Sequence, residues 1–513
     1  MNDIPVLSTL IFLPLLGSIV TLFLPRTNES LLRGWAIGVS LIVFLVSLLL
    51  WFGVESGVAD FQFVERVPWV EGVGITYQVG VDGISLLLVM LTTFLMPIVF
   101  FYTAGTIHVR VKEFVALMLL LETAMLGTFL ALDLFLFYVF WELMLVPMYF
   151  LIGVWGGVRR IYAAVKFFLY TMAGSVLMLL AIVTLYFLSG PGPGFQGRTF
   201  DLLEIMQTRV PSDLQAWLFA AFALAFAIKV PMFPFHTWLP DAHVEAPTAG
   251  SVILAAVLLK MGTYGFLRFC IPLFPEATAA AVPVFALLAV IGIIYGALVA
   301  TMQRDMKKLV AYSSVSHLGF VMLGLFALTP ESVQGALIQM INHGISTGAL
   351  FLLVGMIYER AHTRFISDFG GVARLMPVFA GFFLLVMFSS LALPGTNGFI
   401  GEFLILTGTF RSPFGLQPYA ILAASGVVLG AIYMLWMYQR AMQGPVHEPV
   451  ADGHAVHLTD LTRREIAVLV PFAILILWIG IYPKPFLDRS AASVTAVTQR
   501  VAQANPQLLA STR

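Results

Sequence analysis

Seven ionisable residues occur inside long apolar stretches of this sequence, most of them near the centre of the stretch. They are Glu122, Glu142, Lys229, Lys260, His317, His343 and Glu402. Because a charge at the centre of a bilayer costs about 2.5–3.5 kcal/mol on insertion scales, such residues usually face one another or line a water-filled path. If the helices that carry them form a bundle, the seven side chains fall in one layer. A layer of carboxylates, amines and imidazoles at hydrogen-bond or water-bridged spacing can pass protons.

The residue types also suggest a direction for this transfer. A carboxylate within about 4–6 Å stabilises the protonated form of a buried lysine. Movement of Glu142 relative to Lys229 would therefore make Lys229 hold or release its proton. Lys260 would receive that proton, and the two histidines would relay it. Glu402 would be the terminal site, open to the far side of the membrane.

Each of these residues also has a plainer interpretation. Glu142 and Lys229 could form a static ion pair that only fixes helix packing. The two histidines could be core residues bonded to neighbouring carbonyl groups, or haem ligands. Lys166 lies close to the Arg159–Arg160 end of its stretch, so its side chain is expected to extend toward the membrane interface.

A further polar cluster lies at the end of one apolar stretch, and its members are His236, Asp241, His243 and Glu245. These residue types could hold a metal ion. More often such a cluster caps broken helix ends and admits protons from the cytoplasm. We therefore predict no metal and no cofactor in this chain.

Composition places the chain among multi-spanning membrane proteins. Of its 513 residues 60% are hydrophobic and 11% are charged, and the mean hydropathy is +0.96. Apolar runs of about 20 residues, the length that crosses a bilayer as a helix, recur along nearly the whole chain. We predict an all-α fold of about fourteen transmembrane helices, at approximately 4–24, 31–52, 82–104, 113–132, 134–155, 161–189, 213–238, 247–270, 279–301, 308–328, 332–357, 375–410, 416–440 and 464–482.

The same composition excludes several classes of protein. The single cysteine, Cys270, rules out an intrachain disulfide, a cysteine-bound iron–sulfur cluster and a CxxC redox motif. A net charge of zero gives no indication of the basic surface that a nucleic-acid-binding protein would need. The beginning, Met1-Asn2-Asp3, has no basic segment and leads straight into further spans, so we expect no cleaved signal peptide.

Basic residues indicate the orientation of the spans. With fourteen spans, fifteen of the 27 Lys and Arg residues fall in the loops on one side, five in the loops on the other and four in the C-terminal tail. Cytoplasmic loops are the ones enriched in Lys and Arg. Both termini are therefore predicted to face away from the cytoplasm.

Two of the spans contain helix breakers. In the seventh, Pro231 and Pro234 follow Lys229 directly, and in the twelfth the segment Leu393–Gly398 precedes Glu402. Proline removes a helical hydrogen bond and clashes with the preceding turn. The two broken spans are five helices apart, so they run in opposite directions. This is the arrangement of an inverted-topology repeat, in which broken helices mark a transport site, although a packing kink is the plainer explanation for either break alone.

We accordingly divide the chain into four parts, with spans 4–8 and 9–13 as the inverted five-helix repeats. The parts are residues 1–106 with spans 1–3, residues 107–275 with the first repeat, residues 276–443 with the second repeat, and residues 444–513 with a cytoplasmic loop, span 14 and the C-terminal tail.

Four segments together resemble a known family over essentially the whole fourteen-span region. They are Lys229–Ala255, Leu258–Gly265, Asp305–His317 and Leu393–Phe403. These strings are similar to the signatures of the antiporter-like membrane subunits of NADH:quinone oxidoreductase (complex I). At the position of Glu402 most sister subunits carry lysine, and the chain resembles the one subunit type that carries glutamate there. It also lacks the long C-terminal helical arm of another sister subunit.

The resemblance implies roles for the seven residues. Glu142 and Lys229 match the coupled pair, Lys260 the central relay and Glu402 the exit residue. His317 and His343 match the histidines that connect these sites in the family. Glu122 is included as a further member of the same proton relay.

The resemblance also implies a setting. The chain would translocate protons as part of an NADH:quinone oxidoreductase, an enzyme whose redox sites, with FMN, iron–sulfur clusters and quinone, lie in partner subunits. Its partners would be sister antiporter-like subunits, other membrane-arm subunits and the lipid bilayer of a bacterial inner membrane, with both termini periplasmic. Two rivals stay open, namely an Mrp-type sodium/proton antiporter subunit and a non-transporting membrane scaffold.

Overall fold

The computed structural model describes residues 5–190, 197–208, 210–447, 449–451 and 454–505. The first helices are α1 (Val6–Phe23), α2 (Glu29–Gly53), α3 (Gly83–Thr103), α4 (Val111–Leu130), α5 (Leu134–Leu143), α6 (Leu145–Trp155), α7 (Arg160–Leu188), α8 (Leu202–Gln207), α9 (Ser212–Lys229), α10 (Trp238–Glu245), α11 (Thr248–Ile253), α12 (Leu259–Gly265) and α13 (Ile271–Leu273). The others are α14 (Pro275–Thr301), α15 (Met306–Phe326), α16 (Pro330–Ala361), α17 (Val372–Leu375), α18 (Pro377–Ser390), α19 (Asn397–Phe410), α20 (Gln417–Met442), α21 (Arg463–Ile481) and α22 (Lys484–Ala504).

The span layout follows the apolar runs. Among the described residues, thirteen helices are long and apolar enough to cross a membrane. The twelfth predicted stretch supplies the remaining crossing as two half-helices, α18 and α19, of 14 residues each. The all-α prediction of about fourteen spans is confirmed. The four-part division, the inverted relation of the two repeats and the side of the membrane that each end faces stay predictions. Met1-Asn2-Asp3, Arg209 and Arg513, which entered those predictions, lie outside the described residues.

Both predicted breaks are present. Helix α9 ends at Lys229, earlier than the predicted end at 238, because the prolines that follow cannot continue it. Between α18 and α19 the backbone enters the left-handed region at Ala392 (φ 57°) and Gly395 (φ 92°). The sequence did not reveal two other interruptions. Span 5 is divided at Met144, and span 8 contains π-helical turns at Leu254–Leu258 and Phe266–Cys270.

Two elements outside the spans were also missed. Residues between spans 2 and 3 form an antiparallel hairpin of β1 (Gln62–Val70) and β2 (Ile75–Val81), and a short pair, β3 (Val450–Ala451) and β4 (His454–Ala455), precedes α21. The hairpin is joined to the bundle by the backbone N–H of Thr76, which donates to Asp133 at 2.9 Å. Burial raises the pKa of Asp133 to about 6, against the effect of the hydrogen bonds that it accepts.

The described part of the C-terminal tail contains a helix, α22 (Lys484–Ala504). Helix α22 packs against spans 3, 8, 9 and 11. Arg500 donates to the carbonyl of Pro272 at 2.6 Å and also bonds to that of Met206, and Gln334 donates to the carbonyl of Leu487 at 2.7 Å. We call the end of the bundle that carries β1, β2 and α22 the hairpin end.

Loops after alternate spans meet at the opposite end, as an up-and-down bundle requires. The backbone N–H of Gly157 donates to the carbonyl of Glu245 at 2.9 Å, and Arg364 donates to that of Val244 at 2.9 Å. Arg360 makes a two-pronged ion pair with Glu465, both distances being 2.7 Å. We call this the loop end.

Three spans form the interior of the bundle. The eighth (Thr248–Leu273), tenth (Met306–Phe326) and eleventh (Pro330–Ala361) are almost wholly buried within the protein, whereas the outer spans expose one face. A helix buried on all sides offers no face to lipid, so polar residues on it must find partners within the protein. These three interior spans carry Lys260, His317 and His343.

Candidate functional site

Four of the seven predicted residues lie next to one another in a row, which we call the central row: Lys260, His343, His317 and Glu402. The amine of Lys260 on α12 lies 2.6 Å from Nδ1 of His343 on α16. The rings of His343 and His317, the latter on α15, have centroids 5.8 Å apart. Nδ1 of His317 lies 3.0 Å from Oε1 of Glu402 on α19.

Each member of the central row is buried, with at most 6% of its surface exposed. Lys260 also donates to the carbonyl of Ala255 at 2.6 Å, in the π-turn that precedes α12. Such turns interrupt the regular helical bonding and are frequent at functional sites. The hydroxyl of Ser390, at the end of α18, lies 3.4 Å from Nε2 of His317. The row is therefore supported by the irregular backbone of both span 8 and span 12.

Lys229 and Glu142 do not form an ion pair in this structure. Within the described residues no carboxylate lies within 4.0 Å of the Lys229 amine, which instead donates to the sulfur of Met144 at 3.1 Å. The ammonium position also lies 5.6 Å from the Trp141 ring centre and 5.2 Å from that of Phe167. A thioether is a weak acceptor and aromatic faces are weak partners for a cation. The role of Glu142 and Lys229 as a coupled pair stays a prediction.

Glu142 and Glu122 have different surroundings. Glu142 is partly exposed and lies beside Tyr138 and Ser175, and one of its carboxylate oxygens is buried without a hydrogen-bond partner among the described residues. Glu122 is fully buried in α4, and neither of its oxygens has a partner in the part of the chain that the structure describes. None of the contacts of the central row reaches Glu122.

The polar cluster at the end of span 7 is dispersed. Asp241 pairs with Lys166 at 2.7 Å, so Lys166 reaches a carboxylate of its own chain rather than extending freely to the interface. His236 packs against Phe233 and Tyr295, while Glu245 accepts the backbone N–H of Arg159 at 2.8 Å. Over the described residues no three His, Cys, Asp or Glu side chains are gathered as a metal site would require.

Two buried residues, His243 and Lys307, have surroundings that the motif analysis did not predict. His243 is fully buried against Phe351, and neither ring nitrogen has a hydrogen-bond partner among the described residues. Near it, a polar cavity of about 350 Å³ opens at the loop end. Lys307, buried beside that cavity, donates to the carbonyl of Ala246 at 2.6 Å. Lys307 stands at the start of span 10, where the sequence alone reads as an ordinary basic residue of a loop.

A bundle of membrane-spanning helices with a buried row of ionisable side chains is typical of membrane proteins that move ions or protons. A family model described as NADH:quinone oxidoreductase/Mrp antiporter, TM, matches residues 131–432. NADH-quinone oxidoreductase subunit M of Rhodobacter capsulatus is 46% identical over 510 residues, with 96% of each chain covered. NADH-ubiquinone oxidoreductase chain 4 of Marchantia polymorpha is 45% identical over 494 residues, covering 96% of this chain and 97% of that protein.

A solved structure agrees with these relatives. A chain of respiratory complex I from Thermus thermophilus with bound NADH superimposes with a TM-score of 0.85 at 32% identity, covering 97% of this chain and all of that one. The chain therefore belongs to the antiporter-like membrane subunits of NADH:quinone oxidoreductase, in the group named subunit M or chain 4. The glutamate at 402 had indicated the same group.

Proposed function

We propose that this chain translocates protons across the membrane as a subunit of NADH:quinone oxidoreductase, and that the central row is its proton path. The observation that carries this proposal is the contact sequence from the Lys260 amine through two imidazoles to the Glu402 carboxylate. Each neighbouring pair combines a group that can give a proton with one that can accept it.

In this proposal Lys229 and Glu142 control the row rather than belong to it. With Lys229 held by Met144, its ammonium form lacks a strong partner, which favours release of the proton toward Lys260. Approach of Glu142 would restore the charged form. A switch of this kind needs the amine to move between two acceptors, and the separated geometry is one of its two states.

The cavity at the loop end supports a route for proton uptake. It is lined by Lys307 and Glu245, and fully buried His243 directly precedes the lining residues Val244 and Glu245. We assign this cavity to the cytoplasmic side, in a bacterial inner membrane with both termini periplasmic. Electron transfer, with FMN, iron–sulfur clusters and quinone, is assigned to partner subunits, and sister antiporter-like subunits adjoin this chain.

The test uses the assembled complex in proteoliposomes, with NADH-driven acidification and NADH oxidation measured together. Glu142→Gln and Lys229→Ala should each abolish at least about 90% of the pumping attributable to this subunit, because the row then loses its control pair. Lys166→Ala is the matched control, since Lys166 pairs with Asp241 away from the central row. Normal pumping in both variants, with normal assembly, would leave only the scaffold function.

The same preparation distinguishes the antiporter alternative. A proton path that ends on a carboxylate and two imidazoles has no requirement for sodium, so pumping should be equal in sodium-free medium. Pumping that depends on sodium and proceeds without NADH would instead favour a sodium/proton antiporter.

A further inference from the structure

Gln339 lies at the point where the central row reaches Glu402. It is on α16, one helical turn before His343, and only 3% of its surface is exposed. Its side-chain N–H donates to Oε1 of Glu402 at 3.2 Å. Nδ1 of His317 contacts the same oxygen at 3.0 Å. One carboxylate oxygen is therefore held by groups from two different helices.

The amide of Gln339 has little freedom to leave this position. A Cβ added at Gly401 would lie 2.2 Å from Oε1 of Gln339 and 3.0 Å from its Cα, so α16 and α19 approach each other closely here. An amide donates and accepts hydrogen bonds but does not titrate in the physiological range. Gln339 can therefore orient the carboxylate without carrying a proton itself.

The same amide is connected to the break in span 12. Asn342 donates to Oε1 of Gln339 at 3.4 Å and to the carbonyl of Asn397 at 2.7 Å. Asn397 is the first residue of α19, and its side-chain oxygen accepts the hydroxyl of Ser389, near the end of α18, at 2.5 Å. Three buried amides thus run from the Glu402 carboxylate to both sides of the broken helix.

We infer that Gln339 is a positioning residue that holds Oε1 of Glu402 against His317, and that Asn342 and Asn397 couple this geometry to the break between α18 and α19. The inference rests on the proposed proton path. A shift of α19 relative to α18 would displace Asn397. Because Asn342 bonds to both Asn397 and Gln339, this displacement would change the hydrogen bond between Gln339 and Glu402. Proton transfer from His317 to Glu402 would then depend on the conformation of the break.

The test compares Gln339→Met and Gln339→Glu in the assembled complex, with NADH-driven pumping measured in proteoliposomes from about pH 6 to pH 9. Methionine keeps the length of the side chain but removes the donor, so the anionic form of Glu402 loses one hydrogen bond. We expect about a three- to tenfold slower pumping rate and a pH profile that differs from that of the parent complex. Gln339→Glu preserves the shape and places a second acid beside Glu402, which should also change the pH profile.

Gln334→Met is the matched control, since Gln334 is on the same helix but donates to the carbonyl of Leu487 at the hairpin end. Its pH profile should be that of the parent complex. Parent-like rates and pH profiles in both Gln339 variants, in a complex that Glu402→Gln inactivates, would overturn the inference while leaving the proposed function standing. If Glu402→Gln itself pumps normally, both are overturned.

Discussion

At the scale of single residues, Glu402 is defined by the two groups that converge on it. His317 and Gln339 both contact Oε1, at 3.0 Å and 3.2 Å. A carboxylate satisfies both contacts as an acceptor, whereas an ammonium group has no acceptor to offer. The glutamate at position 402 is therefore matched to its immediate neighbours.

This matching predicts different outcomes for two substitutions at position 402. Glu402→Gln keeps an acceptor oxygen for both neighbours but cannot titrate, so pumping should fall at least about tenfold with normal assembly. Glu402→Lys places a donor against the side-chain N–H of Gln339 in a buried site, at a cost of about 1–3 kcal/mol, and should also lower the amount of assembled complex. Native electrophoresis together with the pumping assay measures both effects. Equal assembly of the two variants would contradict the described geometry.

The case of Lys229 shows that the position of a buried lysine in the sequence does not predict which side chains contact its amine. Glu142 was the predicted partner, yet the amine lies against Met144, which follows Glu142 by two residues at the division between α5 and α6. The irregular turn at Met144 changes which side chains of span 5 face span 7. A methionine gave no signal beforehand because its usual role is to fill space.

At the scale of elements, helix α22 stabilises the hairpin end of the bundle. The start of α3 approaches it so closely that a Cβ added at Gly83 would lie 2.0 Å from the carbonyl oxygen of Arg489. The hydroxyl of Ser493 accepts the backbone N–H of Gly83 at 3.2 Å. Helix α22 is therefore in close backbone contact with the start of α3, in addition to the hydrogen bond from Arg489 to the carbonyl of Val54 at 3.2 Å.

Gly83→Ala should consequently displace α22 and destabilise the subunit by about 1–3 kcal/mol. The measurement is the midpoint of thermal inactivation of the purified complex. Gly34→Ala is the control, because a Cβ there meets no atom within 4 Å and alanine favours the helix by about 0.5–1 kcal/mol. A midpoint for Gly83→Ala equal to that of the parent complex would show that α22 is not fixed by this contact.

At the scale of the whole molecule, the bundle has two ends of different character. The hairpin end carries β1, β2 and α22, and the loop end carries the polar cavity and the ion pair of Arg360 with Glu465. Since Lys and Arg concentrate in the loops of the loop end, that end is predicted to face the cytoplasm.

Reporter fusions test this orientation. Alkaline phosphatase fused after the C-terminal helix should be active and a fluorescent protein fused there should stay dark, because the hairpin end is expected to be periplasmic. The same reporters inserted near Gly444, at the loop end, should give the reverse pattern. Phosphatase activity at Gly444 together with fluorescence at the C-terminus would invert the assignment.

The sequence by itself determined the spans, the two breaks, the types of buried ionisable residue and the family. These follow from local properties, since a run of apolar residues sets the length of a crossing and proline interrupts a helix wherever it falls. Only the tertiary structure decided that Lys260 meets His343, that Lys229 meets Met144, and that Gln339 holds Glu402. Contacts of this kind depend on the rotation and close approach of helices far apart in the chain, which the depth of a residue in its span does not specify.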